Sequence, residues 1–211
     1  MRKIFQLLLA VAIVGLIYVI YILISTPINF EVEKAQKDAV VIERIKSIRS
    51  AQRAYKAKYQ RFTDNFDTLI LFVLNDSLEM ERKIVDEDDS VGMAELMKAK
   101  KKNVEKFNVA VLDTVFAPKK LTPAQVKELR YIPLTDNKVE YILNAGKITT
   151  ESKVVIPIVE CRVPYTMYLD TVKYRQEIIN LIDNDVNNYN KYPGIKFGSM
   201  EGGNNEAGNW E

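Results

Sequence analysis

Seven cations and one carboxylate fall between positions 43 and 61: Arg44, Lys46, Arg49, Arg53, Lys56, Lys58 and Arg61 against Glu43. Cations at this density bind anions, and the anion can belong to a nucleic acid, an acidic protein or the solvent's counter-ions. The whole chain carries a formal net charge of only +2, and the rest of it is not basic. A nucleic-acid partner is therefore not favoured. A solvated helix face and an acidic protein partner both stand as readings. Tyr55 and Tyr59 interleave with these cations, and Trp210 is the sole tryptophan, next to the C-terminal Glu211. Arg49, Arg53, Tyr55, Lys56, Tyr59 and Trp210 are accordingly the interaction candidates.

Other chemistry is thinly represented. The chain has no histidine, which removes Ser-His-Asp and Cys-His arrangements, histidine bases and most transition-metal sites. No phosphate-cradling glycine loop or nucleophile elbow is visible, and Ser199 in Gly198-Ser199-Met200 lacks the flanks of a hydrolase serine. Asp183 and Asp185 have no identifiable partner and read as surface groups or caps. Asp86-Glu87-Asp88-Asp89 lacks the alternating ligands and central glycine of a calcium loop, so it reads as part of a solvated loop. The single cysteine, Cys161, sits in the apolar stretch Val154–Val163. It reads as a small buried hydrophobe, with a reactive thiol as the alternative. These features lead us to expect no enzyme, no cofactor and no bound metal.

The elements that must carry the basic stripe begin with an apolar run from Ile4 to Ile24. As a helix it spans about 30 Å, the thickness of a bilayer hydrocarbon core. Arg2 and Lys3 precede it, and the next cation is Lys34. The positive-inside bias predicts residues 1–3 in the cytoplasm, a span over 4–25 and the remainder across the membrane. The run exceeds the usual length of a signal-peptide core, and Leu23-Ile24-Ser25-Thr26-Pro27 is a poor cleavage site, so the anchor is expected to be retained. Pro27 is expected to break or kink the chain.

Residues 31–61 read as a long helix outside the membrane. Val41, Ile45, Ile48, Gln52, Tyr55 and Tyr59 follow 4-3-4-3-4 spacing, a seam expected to pack on the protein's own sheet, with a coiled-coil contact as the alternative. Thr63-Asp64-Asn65 predicts a turn and cap before a second helix, Asp67–Leu74. Residues 75–106 are charged and weakly periodic, and are expected as a mobile solvated loop. Phe107–Phe116 alternates like a strand. Thr122-Pro123-Ala124-Gln125 is a capping-box pattern opening a short helix to Leu129.

Tyr131–Leu134, Val139–Leu143 and Val154–Leu169 read as antiparallel strands, with turns at Thr135-Asp136-Asn137 and Asn144-Ala145-Gly146. Pro157 and Pro164 suggest an edge strand or bulges in the last of them. Ile178, Ile182, Val186 and Tyr189 form a helical stripe within Asp170–Tyr189. The fold class is thus α+β, with an N-terminal transmembrane helix and a long extracytoplasmic helix packed on a small antiparallel sheet. The globular part is expected over 62–193. Five of the eight glycines fall in 194–211, which reads as a flexible tail. Trp210 at its end suits docking into a pocket on this domain or on a partner.

Ala51-Gln52-Arg53-Ala54-Tyr55-Lys56-Ala57-Lys58-Tyr59-Gln60-Arg61-Phe62-Thr63, followed by Asn65-Phe66-Asp67-Thr68-Leu69, resembles the end of the long helix of type IV pilins and type II secretion pseudopilins. There a similar stretch leads from helix to globular head. Together with Tyr192-Pro193-Gly194-Ile195-Lys196-Phe197-Gly198 and the ending Gly208-Asn209-Trp210-Glu211, the chain also resembles a family of bitopic bacterial envelope proteins. Pilin precursors carry a glycine just before the apolar run and a glutamate near its start, and this sequence has neither. The layout is more similar to inner-membrane platform proteins of these machines, which keep their anchors. The resemblance implies an inner-membrane, single-pass structural subunit of a pilus-like or secretion-like assembly, whose partners are other envelope-complex proteins or itself. A membrane-tethered ligand- or peptide-binding sensor is the alternative.

Overall fold

The computed structural model describes residues 2–86, 88–99, 102–117, 119–135 and 139–211. The chain is α+β, with one long N-terminal apolar helix and two small antiparallel sheets. Helix α1 (Arg2–Tyr59) is continuous over 58 residues. The expected division at Pro27 is therefore corrected. Proline costs the helix only the bond its N–H would give the Leu23 carbonyl, and α1 runs through it; the Thr26 hydroxyl donates to the neighbouring Ile22 carbonyl at 2.8 Å. By length and composition α1 can cross a membrane, and its most apolar stretch buries nothing within the protein.

Beyond Phe30 the helix becomes the spine of the head. Val41, Ile45, Ile48 and Gln52 are fully buried and Tyr55 nearly so. Tyr59, the last seam position, is 44% exposed, which corrects the expectation that the whole seam is covered. The seam packs within its own chain, but only partly on a sheet. It meets α2 (Phe66–Asn75), α4 (Val111–Val115), the 3-10 turn Glu128–Arg130 and strand β5 (Gly194–Gly198). Asn65 caps α2 through its side chain, which accepts from Asp67 N and Thr68 N. Thr122 and Gln125 form the predicted capping box of α5 (Pro123–Lys127).

The described residues of 75–106 carry regular structure where a loop was expected. Strand β1 (Ser77–Arg82) pairs antiparallel with β2 (Glu105–Ala110), and α3 (Ser90–Lys98) fills the excursion between them. Asn103 ties the excursion together, accepting from Ile84 N and Val85 N and donating to Val85 O at 2.7 Å. The expected strand Phe107–Phe116 ends at Ala110, where Val111 N bonds the Asp76 carbonyl at 2.9 Å and the chain turns into α4. Of the acidic run, Glu87 lies outside the described residues. Asp89 caps α3 by accepting from Gly92 N.

The main sheet has the order β3-β4-β5, with β3 spanning Ile142–Thr149 and β4 spanning Val155–Pro164. The turn expected at Asn144-Ala145-Gly146 is in fact mid-strand, and the reversal lies at 150–154, where Thr150 N bonds Val154 O. Tyr131–Leu134 forms one bridge, Tyr131 to Glu140, rather than a strand. The expected turn at Asp136-Asn137 lies outside the described residues. β4 is central over Glu160–Pro164, where β5 pairs with it, and an edge over Val155–Val159. Pro157 sits in that edge half. Val154 O points to β3 and Val159 O towards β5, so the odd-numbered residues of β4 face away from β3. The N–H that proline lacks would face the open side, and the β3 ladder stays intact.

β4 ends in a 3-10 turn, Tyr165–Met167, instead of continuing to Leu169. Helix α6 (Arg175–Asp183) runs into a π-turn, Asn184–Asn188. Of its expected stripe only Ile178 is buried, while Val186 and Tyr189 are exposed.

Candidate interaction surface

The expected tail, 194–211, is instead part of the fold. Its first five residues are β5, whose Phe197 and Ile195 pair with Cys161 and Val163 in the core. At Gly198 the chain takes φ +75°, and a Cβ there would lie 1.9 Å from Val159 O, so only glycine makes this exit. The chain then loops back along the outer edge of β5. Gly198 N bonds Ala207 O, Asn209 N bonds Lys196 O, and the Asn209 side chain accepts from Lys196 N and donates to Gly194 O at 2.8 Å. This return covers an edge that would otherwise present unpaired backbone groups.

The return strap lands on the basic stripe. Arg53 Nε and Lys56 Nζ each donate to the Glu206 carboxylate at 3.1 Å, and Arg53 Nη2 also reaches the Asn205 carbonyl. Arg49 donates to the Glu206 carbonyl at 3.2 Å and to Glu211 Oε1 at 2.7 Å. Its guanidinium lies 5.4 Å from the centre of the Trp210 ring, a cation–π arrangement. Trp210 packs against the core cluster, with its indole N–H buried and unpartnered. The bond to Arg49 holds the Glu211 carboxyl below the usual range. The structure thus gathers Arg49, Arg53, Lys56 and Trp210 into one place, and the acidic group they meet belongs to their own chain.

Tyr55 and Tyr59 lie elsewhere, against α2. Tyr55 packs against Tyr59 in a tilted pair at 4.7 Å and meets Phe72 edge-on at 5.1 Å. At 5% exposure Tyr55 is a core residue. Tyr59 donates to Asp76 Oδ2 at 2.7 Å, and Lys58 donates to Asp76 Oδ1 at 2.6 Å. Lys58, and then Tyr59, hold the Asp76 carboxyl below its ordinary range, while the same bond pushes the Tyr59 phenol up. Asp76 therefore joins the end of α1 to the root of the β1–β2 arm.

The arm is the least covered part of the head. Met80, Ile84, Val91, Val104 and Phe107 are exposed, and Met97 is 72% exposed. Beyond its ladder and the Asn103 bonds, its side chains are joined by surface ion pairs, such as Arg82 with Glu105 at 2.7 Å and Lys106 with Glu79, and pairs of this kind add little stability. An isolated two-stranded hairpin is marginal in water.

Glu206, Asp76 and the arm are features that sequence reading missed. Glu206 lies among glycines and asparagines with no periodic context. The arm had a legible signal, because Leu78 and Met80 pair with Val109 and Phe107 in register two residues apart.

A groove of about 370 Å³ lies between Ile156–Val159 of β4 and the 199–206 loop, with Lys56 at its rim. Burial pushes the Cys161 thiol up, so it stays protonated and inert.

Fold and surface together define a head of two small sheets on a single long helix, closed by its own C-terminal strap. No family model matches this chain, and neither a curated protein nor a solved structure does.

Proposed function

We propose that this protein is a structural subunit of an envelope-spanning, pilus-like or secretion-like assembly, acting through protein–protein contacts and not as an enzyme. On this reading α1 holds it in a bacterial inner membrane, the N-terminus is cytoplasmic and the head is periplasmic. Partners are other envelope-complex proteins or further copies of itself.

The exposed arm is the observation that carries the reading. A hairpin and helix with Val91, Met97 and Phe107 turned outward gain little from their own head, and such apolar exposure marks a contact surface. The basic stripe is less suited to that role, since Glu206 and Glu211 already occupy it. The test is a mild-detergent pull-down of the full-length protein beside the double variant Val91→Asp/Met97→Asp. Other membrane proteins should accompany the first and be lost from the second, with the melting temperature unchanged. A protein that comes down alone in both cases rules the reading out.

The groove beside β4 favours a second reading, a tethered ligand- or peptide-binding domain. A peptide or small molecule that raises the melting temperature of a protein with no copurifying partners would establish it.

A further inference from the structure

Among the described residues, the loop before α6 meets α1 at Phe30, where the helix first becomes buried. Side chains preceding α6 grip the spine in descending order. Tyr168 donates to Asp38 at 2.6 Å, and the Tyr165 ring lies 5.1 Å from the Lys34 ammonium. Lys173 then pairs with Glu33 at 3.0 Å, and the Tyr174 ring packs on Phe30 at 5.3 Å. Among the described residues Phe30 is the first buried position of α1. The sequence is uncharged from Ile4 to Phe30, and Glu31 is the first charge after it.

Because α1 is unbroken, the axial spacing is fixed at about 1.5 Å per residue. Phe30 lies about 9 Å beyond Ile24, and Glu33 about 13 Å beyond it. The headgroup layer adds about 5–8 Å on each side of the hydrocarbon core. The loop's two grips on α1 therefore lie about 1–8 Å above the headgroups of an untilted helix, a gap that a helix tilt of ordinary size closes on one side of the head.

Directly before Lys173 and Tyr174 in this loop is Val172, 91% exposed, the most exposed large apolar side chain among the described residues. The loop presents it rigidly, since Asp170 Oδ1 accepts from Val172 N at 3.0 Å and from Lys173 N at 2.9 Å. Nearby charges are mixed: Lys173 is paired with Glu33, and Asp170 and Glu177 lie close to Arg175 in sequence.

We infer that the Asp170–Tyr174 loop is a foot that rests on the phospholipid surface of the bilayer crossed by α1, with Val172 inserted among the headgroups. The inference rests on the membrane-anchor reading. The balanced charge makes the contact apolar, so it does not require anionic lipid. A foot and an anchor on one rigid helix fix the height of the head above the bilayer, and with it the height at which the arm is offered.

The test uses the full-length protein in phosphatidylcholine vesicles. An environment-sensitive dye is placed at Val172→Cys, at Val14→Cys in the apolar run, or at Glu151→Cys in the β3–β4 turn. Cys161 is fully buried and leaves these labels unique. Glu151 is a distant reference, because the neighbouring β4 edge at Ile156 lies level with Lys56. A headgroup-attached quencher should dim the Val172 dye several-fold more than the Glu151 dye, and a deep acyl-chain quencher should dim the Val14 dye. Replacing half the lipid with phosphatidylglycerol should leave the Val172 result unchanged. If Val14 is quenched while Val172 behaves like Glu151, the foot is overturned and the anchor stands. If Val14 is not quenched, the anchor fails and the foot with it. If Val172 is quenched only with anionic lipid, apolar insertion is wrong.

Discussion

Gln52 and Thr63 meet as a two-point amide pair inside the head. Gln52 Nε2 donates to the Thr63 carbonyl at 2.6 Å, and Thr63 N donates to Gln52 Oε1 at 3.2 Å. The one polar position of the seam thereby satisfies the backbone of the chain reversal between α1 and α2. Gln52→Leu keeps the apolar volume but strands both Thr63 groups, Thr63 itself being buried. We expect a loss of about 2–6 kcal/mol, from two buried groups at about 1–3 each. Unfolding of the full-length protein in detergent measures it, and an unchanged stability would show that the reversal is held by other contacts.

The seam yields a second expectation. Ile48 has no exposed surface. Ile48→Ala should cost about 2–5 kcal/mol by the transfer and cavity terms of a buried large-to-small change. Tyr59→Phe, at a partly exposed position, removes only the Asp76 bond and should cost far less. Equal losses at the two sites would contradict the packing described for α1.

Trp210 reports on the strap. As the sole tryptophan it gives an uncomplicated signal, and its emission should be blue-shifted in the folded protein and move red on unfolding. Glu206→Ala removes the carboxylate shared by Arg53 and Lys56, and should shift the emission red well below the melting temperature. Native-like emission in that variant would mean that the strap is held by its β5 hydrogen bonds alone.

The foot of the head should respond to acid. Lys173, and then Lys37, hold the Glu33 carboxyl at about 2, against 4.5 for the free group. A depressed carboxyl contributes stability that is full above its unfolded value and lost as pH falls through the folded one. The melting-temperature advantage of the native protein over Glu33→Gln should therefore be constant above pH 4.5 and shrink between 4.5 and about 2. An advantage that grows on acidification would reverse the assigned sign.

Topology is directly measurable. A reporter active only outside the cytoplasm, joined through a flexible linker after Glu211, should be active, and the isolated protein should begin at its own N-terminus. The basis is the apolar run behind Arg2 and Lys3. Recovery of a chain starting near Thr26 would show cleavage instead of a retained anchor.

Features encoded within a few neighbouring residues were readable from the sequence. The seam spacing placed Val41, Ile45, Ile48, Gln52 and Tyr55 inside, Thr122 and Gln125 announced their own capping box, and the apolar composition of α1 marked the only candidate span among the described residues. Each depends on helical periodicity, on a side chain reaching backbone three residues away, or on an unbroken apolar run.

Features made by distant pairing were not readable. Asn144-Ala145-Gly146 has turn composition, yet it lies mid-strand because β4 supplies a ladder along its length, and the Met200 side chain packs 3.1 Å from where a Gly146 Cβ would stand. The strand expected over Phe107–Phe116 holds only to Ala110, because the Val111–Asp76 bond decided where strand gives way to helix. The glycines of 194–211 carry no periodic signal, and what orders them is the edge of β5 together with Arg49, Arg53 and Lys56, all far back in the chain. Local propensity sets what a segment can form, and long-range hydrogen bonds and ion pairs select what it does form. For the same reason the basic stripe was visible in the sequence, while the identity of its acidic partner, Glu206 and Glu211 of the same chain, emerged only from the tertiary structure.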